Sequence, residues 1–126
     1  MKIENINNYD ELEEYMKNYK FLIINISAPW CKPCKEIKPS IEKFLSVIDK
    51  KDFIYLKLDY DTYISDEMFE TLFKVNKIPY FSIMEDTKIK FSIVSGDFFE
   101  VSTNLHKNIL SCENQLSNNF NLNTDF

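Results

Sequence analysis

An α/β fold, with a mixed five-stranded sheet flanked by four helices, is predicted by three features of this sequence. Apolar runs of strand length alternate with stretches of helical periodicity in the order β-α-β-α-β-α-β-β-α. The first three strands are separated by helices, which calls for parallel strands with helical crossovers. The last two are joined only by Glu85-Asp86-Thr87, a charged turn that makes them an antiparallel hairpin. At 126 residues the chain fits one domain with a core of its own.

Each element has a local reason. Lys2–Ile6 is a short strand, and Asn7 or Asn8 then caps a helix whose Leu12, Tyr15, Met16 and Tyr19 recur at i, i+3, i+4 and i+7. Residues 21–26 are continuously apolar around Asn25, as expected of a strand covered on both faces. A long helix follows from Cys31, with Ile37, Ile41, Phe44, Leu45 and Ile48 on one side. Pro39 lies inside it and is expected to kink it, since it removes one backbone donor. Residues 53–58 alternate as a strand, and Ile64, Met68, Leu72 and Val75 mark a single third helix. Residues 80–84 and Lys88–Val94 form the hairpin, which Gly96 ends. Val101, Leu105, Ile109, Cys112 and Leu116 share one stripe of the last helix. The domain is therefore assigned to residues 1–117, and residues 118–126, which lose periodicity, are read as a frayed or disordered tail.

Composition excludes several functions. The net charge is −5, all 15 basic residues are lysine, and no basic run exceeds Lys50-Lys51, so nucleic acid is not an expected partner. The longest uncharged stretch near the N-terminus, residues 21–31, is about half the roughly 20 apolar residues a membrane span needs. Glu4, Asp10, Glu11, Glu13 and Glu14 stand where a signal peptide would be apolar, so a cytoplasmic protein is expected. With no spare apolar stripe, a monomer is expected too.

Three cysteines, two of them in Cys31-Lys32-Pro33-Cys34, are too few for a secreted disulfide scaffold and point to a redox or metal role. The pair sits where a strand ends and a helix begins. Backbone N–H groups and the helix dipole there stabilise a thiolate, the form that attacks a disulfide. Cys31 would occupy the exposed start of the helix and act as attacker; Cys34, one turn in and deeper, would resolve. Pro33 fits the first turn, where its missing N–H costs nothing. Lys32 and Lys35 add positive charge that favours the thiolate. Zinc is the rival reading, but His106 and Cys112 are six apart on one helix, about 240° around it, and cannot face one ion; no metal is expected. Cys112 lies on the apolar stripe as a buried small hydrophobe, and His106 lies off it in solvent.

Over roughly residues 1–117 the sequence resembles the thioredoxin family. The likeness rests on Ala28-Pro29-Trp30-Cys31-Lys32-Pro33-Cys34-Lys35, on Pro39 within the helix, on Lys57-Leu58-Asp59, and on Ile78-Pro79 before the hairpin. The resemblance implies a thioredoxin fold and a protein dithiol–disulfide oxidoreductase with no bound cofactor beyond the redox-active disulfide Cys31–Cys34. It implies a cis bond before Pro79, lying against the cysteines, where backbone beside it pairs with an extended substrate segment. Trp30, Ile78 and the Gly96 turn would frame an apolar groove around Cys31. Partners would be disulfide-containing proteins and an upstream donor, either thioredoxin reductase with NADPH or glutathione.

Two departures from the family stand out. Asn25 occupies the place of a buried Asp that exchanges a proton with the second cysteine, near a lysine that Lys57 matches. Asn cannot act as a base, so slower resolution is expected, and Asn25→Asp is expected to speed it. Lys32 stands where Gly is commonest and puts a charge on the groove rim, favouring acidic partners; Tyr80, after the proline, is expected to narrow the groove. Two alternatives remain at this stage: an oxidase or isomerase, should Lys32 stabilise the reduced form, and a non-catalytic binding or assembly module on the same fold.

Overall fold

The structure, a computed structural model, describes the backbone of residues 1–124 and the side chains of residues 1–112. Its strands are β1 (Lys2–Ile6), β2 (Phe21–Ser27), β3 (Phe53–Asp59), β4 (Tyr80–Glu85) and β5 (Lys88–Val94), in the sheet order β1-β3-β2-β4-β5. β1 and β2 run parallel to β3, while β4 is antiparallel to both β2 and β5. The helices are α1 (Tyr9–Asn18), α2 (Lys32–Ser46), α3 (Tyr60–Ser65), α4 (Glu67–Phe73) and α5 (Phe98–Thr124).

Strand side chains alternate between two faces, so one set of strands serves two cores. Leu22, Ile24 and Ile26 of β2 join Ile54, Leu56 and Leu58 of β3 under α1, α3 and α4. Their odd-numbered neighbours, Phe21, Ile23, Phe53 and Tyr55, pack with Ile37, Ile41 and Leu45 of α2 and with Val101, Leu105 and Ile109 of α5. The unbroken apolar run in β2 is therefore what a central strand requires: every residue from Phe21 to Ile26 is buried. Each such Ile or Leu contributes about 1.5–3 kcal/mol by leaving water.

α1 starts where Asn8 accepts a hydrogen bond from the Glu11 amide at 2.9 Å, one of the two capping residues expected. α2 carries Pro39 on its exposed side, away from the core. The third helix differs from expectation: it is two short helices, which raises the count from four to five among the described residues. The backbone is extended at Asp66, whose carboxylate accepts from the Met68 amide at 3.0 Å and caps a new helix. A short acidic side chain competes with the helix ladder for backbone donors, so it favours a helix start over a helix interior. The buried residues are accordingly Tyr63, Phe69 and Phe73; of the expected stripe, Leu72 and Val75 pack against the same core, whereas Ile64 and Met68 are about half exposed. The tail expected from residue 118 falls beyond the last described side chain, and its final two residues lie outside the described residues altogether.

Candidate active site

β2 ends at Ser27, and the chain turns through Ala28-Pro29-Trp30 to the start of α2, with the Cys31 amide donating back to the Ala28 carbonyl at 3.1 Å. Cys31 is the N-cap of α2: its backbone is extended, and its Sγ accepts from the Cys34 amide at 3.3 Å. That donor is one of those a helix start leaves without an internal partner, so the fold supplies the sulfur with a ready hydrogen bond. Pro33 sits in the first turn, as expected. Cys31 and Cys34 are joined as a disulfide with Cα atoms 5.3 Å apart, within the ordinary range for such a bridge. The expected contrast in exposure is slight, however: Cys31 is 7% exposed and Cys34 4%. Ala28 packs with both, and Tyr60 and Ile78 close over the cluster, which is why the helix start is not open.

Trp30 is 64% exposed and stands edge-on to Tyr60, ring centroids 6.0 Å apart. Tyr60 is a site residue that sequence reasoning missed; its signal was an aromatic directly after the Lys57-Leu58-Asp59 match. The Ile78–Pro79 bond is cis, as the resemblance implied, and the Pro79 carbonyl accepts from the Ser95 amide at 3.2 Å, tying this loop to the Gly96 turn. Gly96 is there for closeness, not for a left-handed backbone. A Cβ at that position would lie 2.8 Å from Pro33 Cβ. Trp30, Ile78 and Gly96 thus do come together around the cysteines.

Tyr80 does not. It is 5% exposed and turned into the core beneath α4, edge-on to Phe73 at 6.1 Å. As the first residue of β4 it follows the strand alternation, which sends its ring away from the groove; only its carbonyl reaches the site, accepting from Asn25 Nδ2 at 3.2 Å. The Lys32 side chain is largely exposed, but Glu36, one turn on, stands 3.9 Å from it and offsets part of its charge.

Behind the cysteines the face under α2 turns polar. Asn25 is 7% exposed and is the register partner of Lys57 on β3. The Lys57 ammonium is committed to Glu42 of α2, donating to its carboxylate at 2.7 Å, with both side chains three-quarters buried or more. Held this way, Lys57 serves as a structural cation that ties α2 to β3. The Glu42 charge also faces Tyr55: burial first, and then Glu42, push its phenol far above the ordinary tyrosine range. Among the described residues no three His, Cys, Asp or Glu side chains come together in a way that would hold a metal ion, and no helix is long and apolar enough to cross a membrane. His106 is exposed at the rim of α5, edge-on to Phe44, and Cys112 is buried in the core on the α5 side.

The family model for thioredoxin matches residues 3–110. A thioredoxin of Coprinus comatus is 33% identical over 86 residues, covering 67% of this chain and 76% of that protein. Thioredoxin H3 of Arabidopsis thaliana is 30% identical over 101 residues, 78% of this chain and 79% of the relative. The crystal structure of Malassezia sympodialis thioredoxin shares the fold, with a TM-score of 0.71 at 20% identity over 85% of this chain and 93% of that one. The matched span takes in all of the sheet but the first residue of β1, the N-cap and helix that carry the two cysteines, and the proline loop before β4, so the chain belongs to the thioredoxin family and is a protein disulfide oxidoreductase working through Cys31 and Cys34.

Proposed function

We propose that the chain is a reductant of protein disulfides, a cytoplasmic monomer in which Cys31 attacks and Cys34 resolves. The observation that carries the reading is the position of Cys31 as N-cap, with the Cys34 amide already donating to its sulfur. In the reduced protein the same donor and the dipole of α2 hold the thiolate. That thiolate attacks one sulfur of a substrate disulfide, whose other sulfur leaves as a thiolate. The Cys34 thiolate then attacks Cys31 Sγ and displaces the second substrate sulfur, so the substrate gains two electrons and the chain is left with the Cys31–Cys34 bond. Exposed Trp30, half-buried Ile78 and the Gly96 turn offer the substrate segment an apolar frame beside that sulfur. No bound cofactor takes part. Electrons return from thioredoxin reductase with NADPH, or from glutathione, and the chain acts as the carrier between donor and substrate.

Equilibrating the Cys31/Cys34 pair against glutathione buffers, read by Trp30 fluorescence, tests the direction of transfer. A potential near about −270 mV, characteristic of thioredoxins, is expected of a reductant. A value above roughly −200 mV would reverse the assignment to oxidase or isomerase.

A further inference from the structure

We propose that Asp59 accepts the proton of Cys34 during resolution, through a cavity that Cys34 lines and Cys31 does not. That cavity, of about 370 Å³, is lined by Cys34 together with Ser27, Ala28, Pro29, Lys35, Lys38 and Asp59, and not by Trp30, Cys31 or Ile78. The inference rests on the resolving role assigned to Cys34 above.

Resolution needs the Cys34 thiol to lose its proton, because the thiolate is the nucleophile. The buried groups nearby do not supply a base. Asn25 is an amide, pinned by its donor bond to the Tyr80 carbonyl, and Lys57 is a cation held by Glu42. The charged groups that face Cys34 across the cavity are Lys35 and Lys38 from α2 and Asp59 from β3, while β2 contributes only Ser27. Asp59 is therefore the one carboxylate on that wall.

Its position is fixed from two sides. As the last residue of β3 it pairs in register with Ser27, at the strand end that leads into the cysteine turn. One carboxylate oxygen, Oδ2, accepts from the Asp61 amide at 3.1 Å and caps α3. The other has no hydrogen-bond or ion-pair partner among the described residues. The cavity has room for several waters at about 30 Å³ each, and a base acting through one water is a normal arrangement. The Cys34 proton passes by that water to Asp59, the thiolate forms the Cys31–Cys34 bond, and the Cys31–substrate bond breaks. The departing substrate thiolate takes up a proton from solvent, and Asp59 returns its own to the cavity water. Lys35 and Lys38 place positive charge on the wall where the Cys34 thiolate develops.

Asp59→Asn tests this with little risk to the fold, since Asn caps a helix as well as Asp does. The fully reduced chain is mixed with dipyridyl disulfide in a stopped-flow instrument. The first pyridinethione released reports attack by Cys31, and the second reports resolution by Cys34. In Asp59→Asn the second release is expected to slow by about tenfold to a hundredfold at pH 7, with the first unchanged. The gap is expected to close as the pH rises through the ordinary thiol range near about 8.5, where Cys34 ionises unaided. A second release within about twofold of the parent over pH 6–9, or a slowing that is the same at every pH, overturns the proposal. Equal slowing of both releases overturns it as well. Should the parent chain release only one pyridinethione per cysteine pair, the resolving role of Cys34 fails, and the proposal with it.

Discussion

The two faces of the sheet are built alike for most of their length and differ at the end that carries the cysteines. On the face under α1, α3 and α4, β2 and β3 present Leu22, Ile24, Ile26, Ile54, Leu56 and Leu58, apolar to the last residue and no more than 1% exposed. On the face under α2 and α5, Phe21, Ile23, Phe53 and Tyr55 are followed by Asn25 and Lys57. Burial alone would favour continuing the apolar series, because a polar group taken from water is costly unless it finds a partner. Asn25 and Lys57 have theirs in the Tyr80 carbonyl and the Glu42 carboxylate. The polar end lies under the helix that brings Cys34 down onto the sheet. One face is shaped by stability along its whole length; the other gives part of that up where the chemistry is done.

Substitutions on the two faces should therefore fail in different ways. The largest effect on stability is expected on the apolar face. Leu56→Ala removes a fully buried side chain from a central strand and should cost about 2–5 kcal/mol, read from the denaturant midpoint. The folded variant should still exchange disulfides at the parent rate; a slowed exchange would show that the two faces are not separable.

On the polar face, Asn25→Asp is the sharper probe. An Asp oxygen would replace the amide that now donates to the Tyr80 carbonyl, so two acceptors would face each other in a buried site. A loss of about 1–3 kcal/mol is expected at neutral pH. The sign with pH follows from burial, which raises the folded carboxyl above its unfolded value of about 3.9. Below that value both states are protonated and the acid O–H can donate to Tyr80, so the penalty is absent; it grows as the pH rises through the folded value. Despite the lower stability, resolution by Cys34 should be faster, since a second base is then close by. A stability profile parallel to the parent's from pH 4 to 8 would refute the burial argument, and unchanged turnover from pH 6 to 9 would refute the base argument.

How much of this was legible follows the same division. The strands were read nearly to their ends, because a central strand must be apolar on both sides and a hairpin with a charged turn leaves few alternatives. The cysteine motif, Pro33, Pro79 and the Gly96 turn were read because their chemistry depends on local backbone, and local backbone is written in consecutive residues. What was missed depends on register or on partners far along the chain. Tyr80 was placed in the groove because adjacency to Pro79 was visible and the inward direction of its ring was not. The pairing of Lys57 with Glu42 was not visible because Glu42, 15 residues away on another element, is one of many acidic residues in a Lys- and Glu-rich chain. The break at Asp66 was hidden by an apolar spacing that fitted one helix, of which Leu72 and Val75 pack on the core while the deepest burial falls on Tyr63, Phe69 and Phe73.

The Glu42–Lys57 pair gives a smaller and more local test. Because both side chains keep 20–25% of their exposure, screening limits what the ion pair is worth, and a double-mutant cycle of Glu42→Gln and Lys57→Met should return about 1 kcal/mol of coupling. Resolution rates should be the same in all four proteins if the lysine is a structural cation. A drop confined to the Lys57→Met variants would restore it to the proton path.

Tyr55 gives the smallest effect at neutral pH and the one most specific to this face. Its phenol is buried beside Glu42, and both influences hold it protonated well above the ordinary tyrosine value of about 10. Below about pH 10 the folded and unfolded chains carry the same proton there, so the group adds no pH dependence. Above it the unfolded chain ionises while the folded chain does not, and stability falls with each further unit. Tyr55→Phe should change the neutral denaturant midpoint by no more than about 1 kcal/mol in free energy, yet lose less stability than the parent between pH 9 and 11. The loss should be reduced without vanishing, since burial also raises the phenols of Tyr63 and Tyr80 on the opposite face. Glu42→Gln should move the parent part of the way toward the Phe variant, because it removes the charge and leaves the burial. Parallel alkaline slopes in parent and Tyr55→Phe would mean that the phenol reaches solvent, and that the face under α2 is wetter at its polar end than its packing shows.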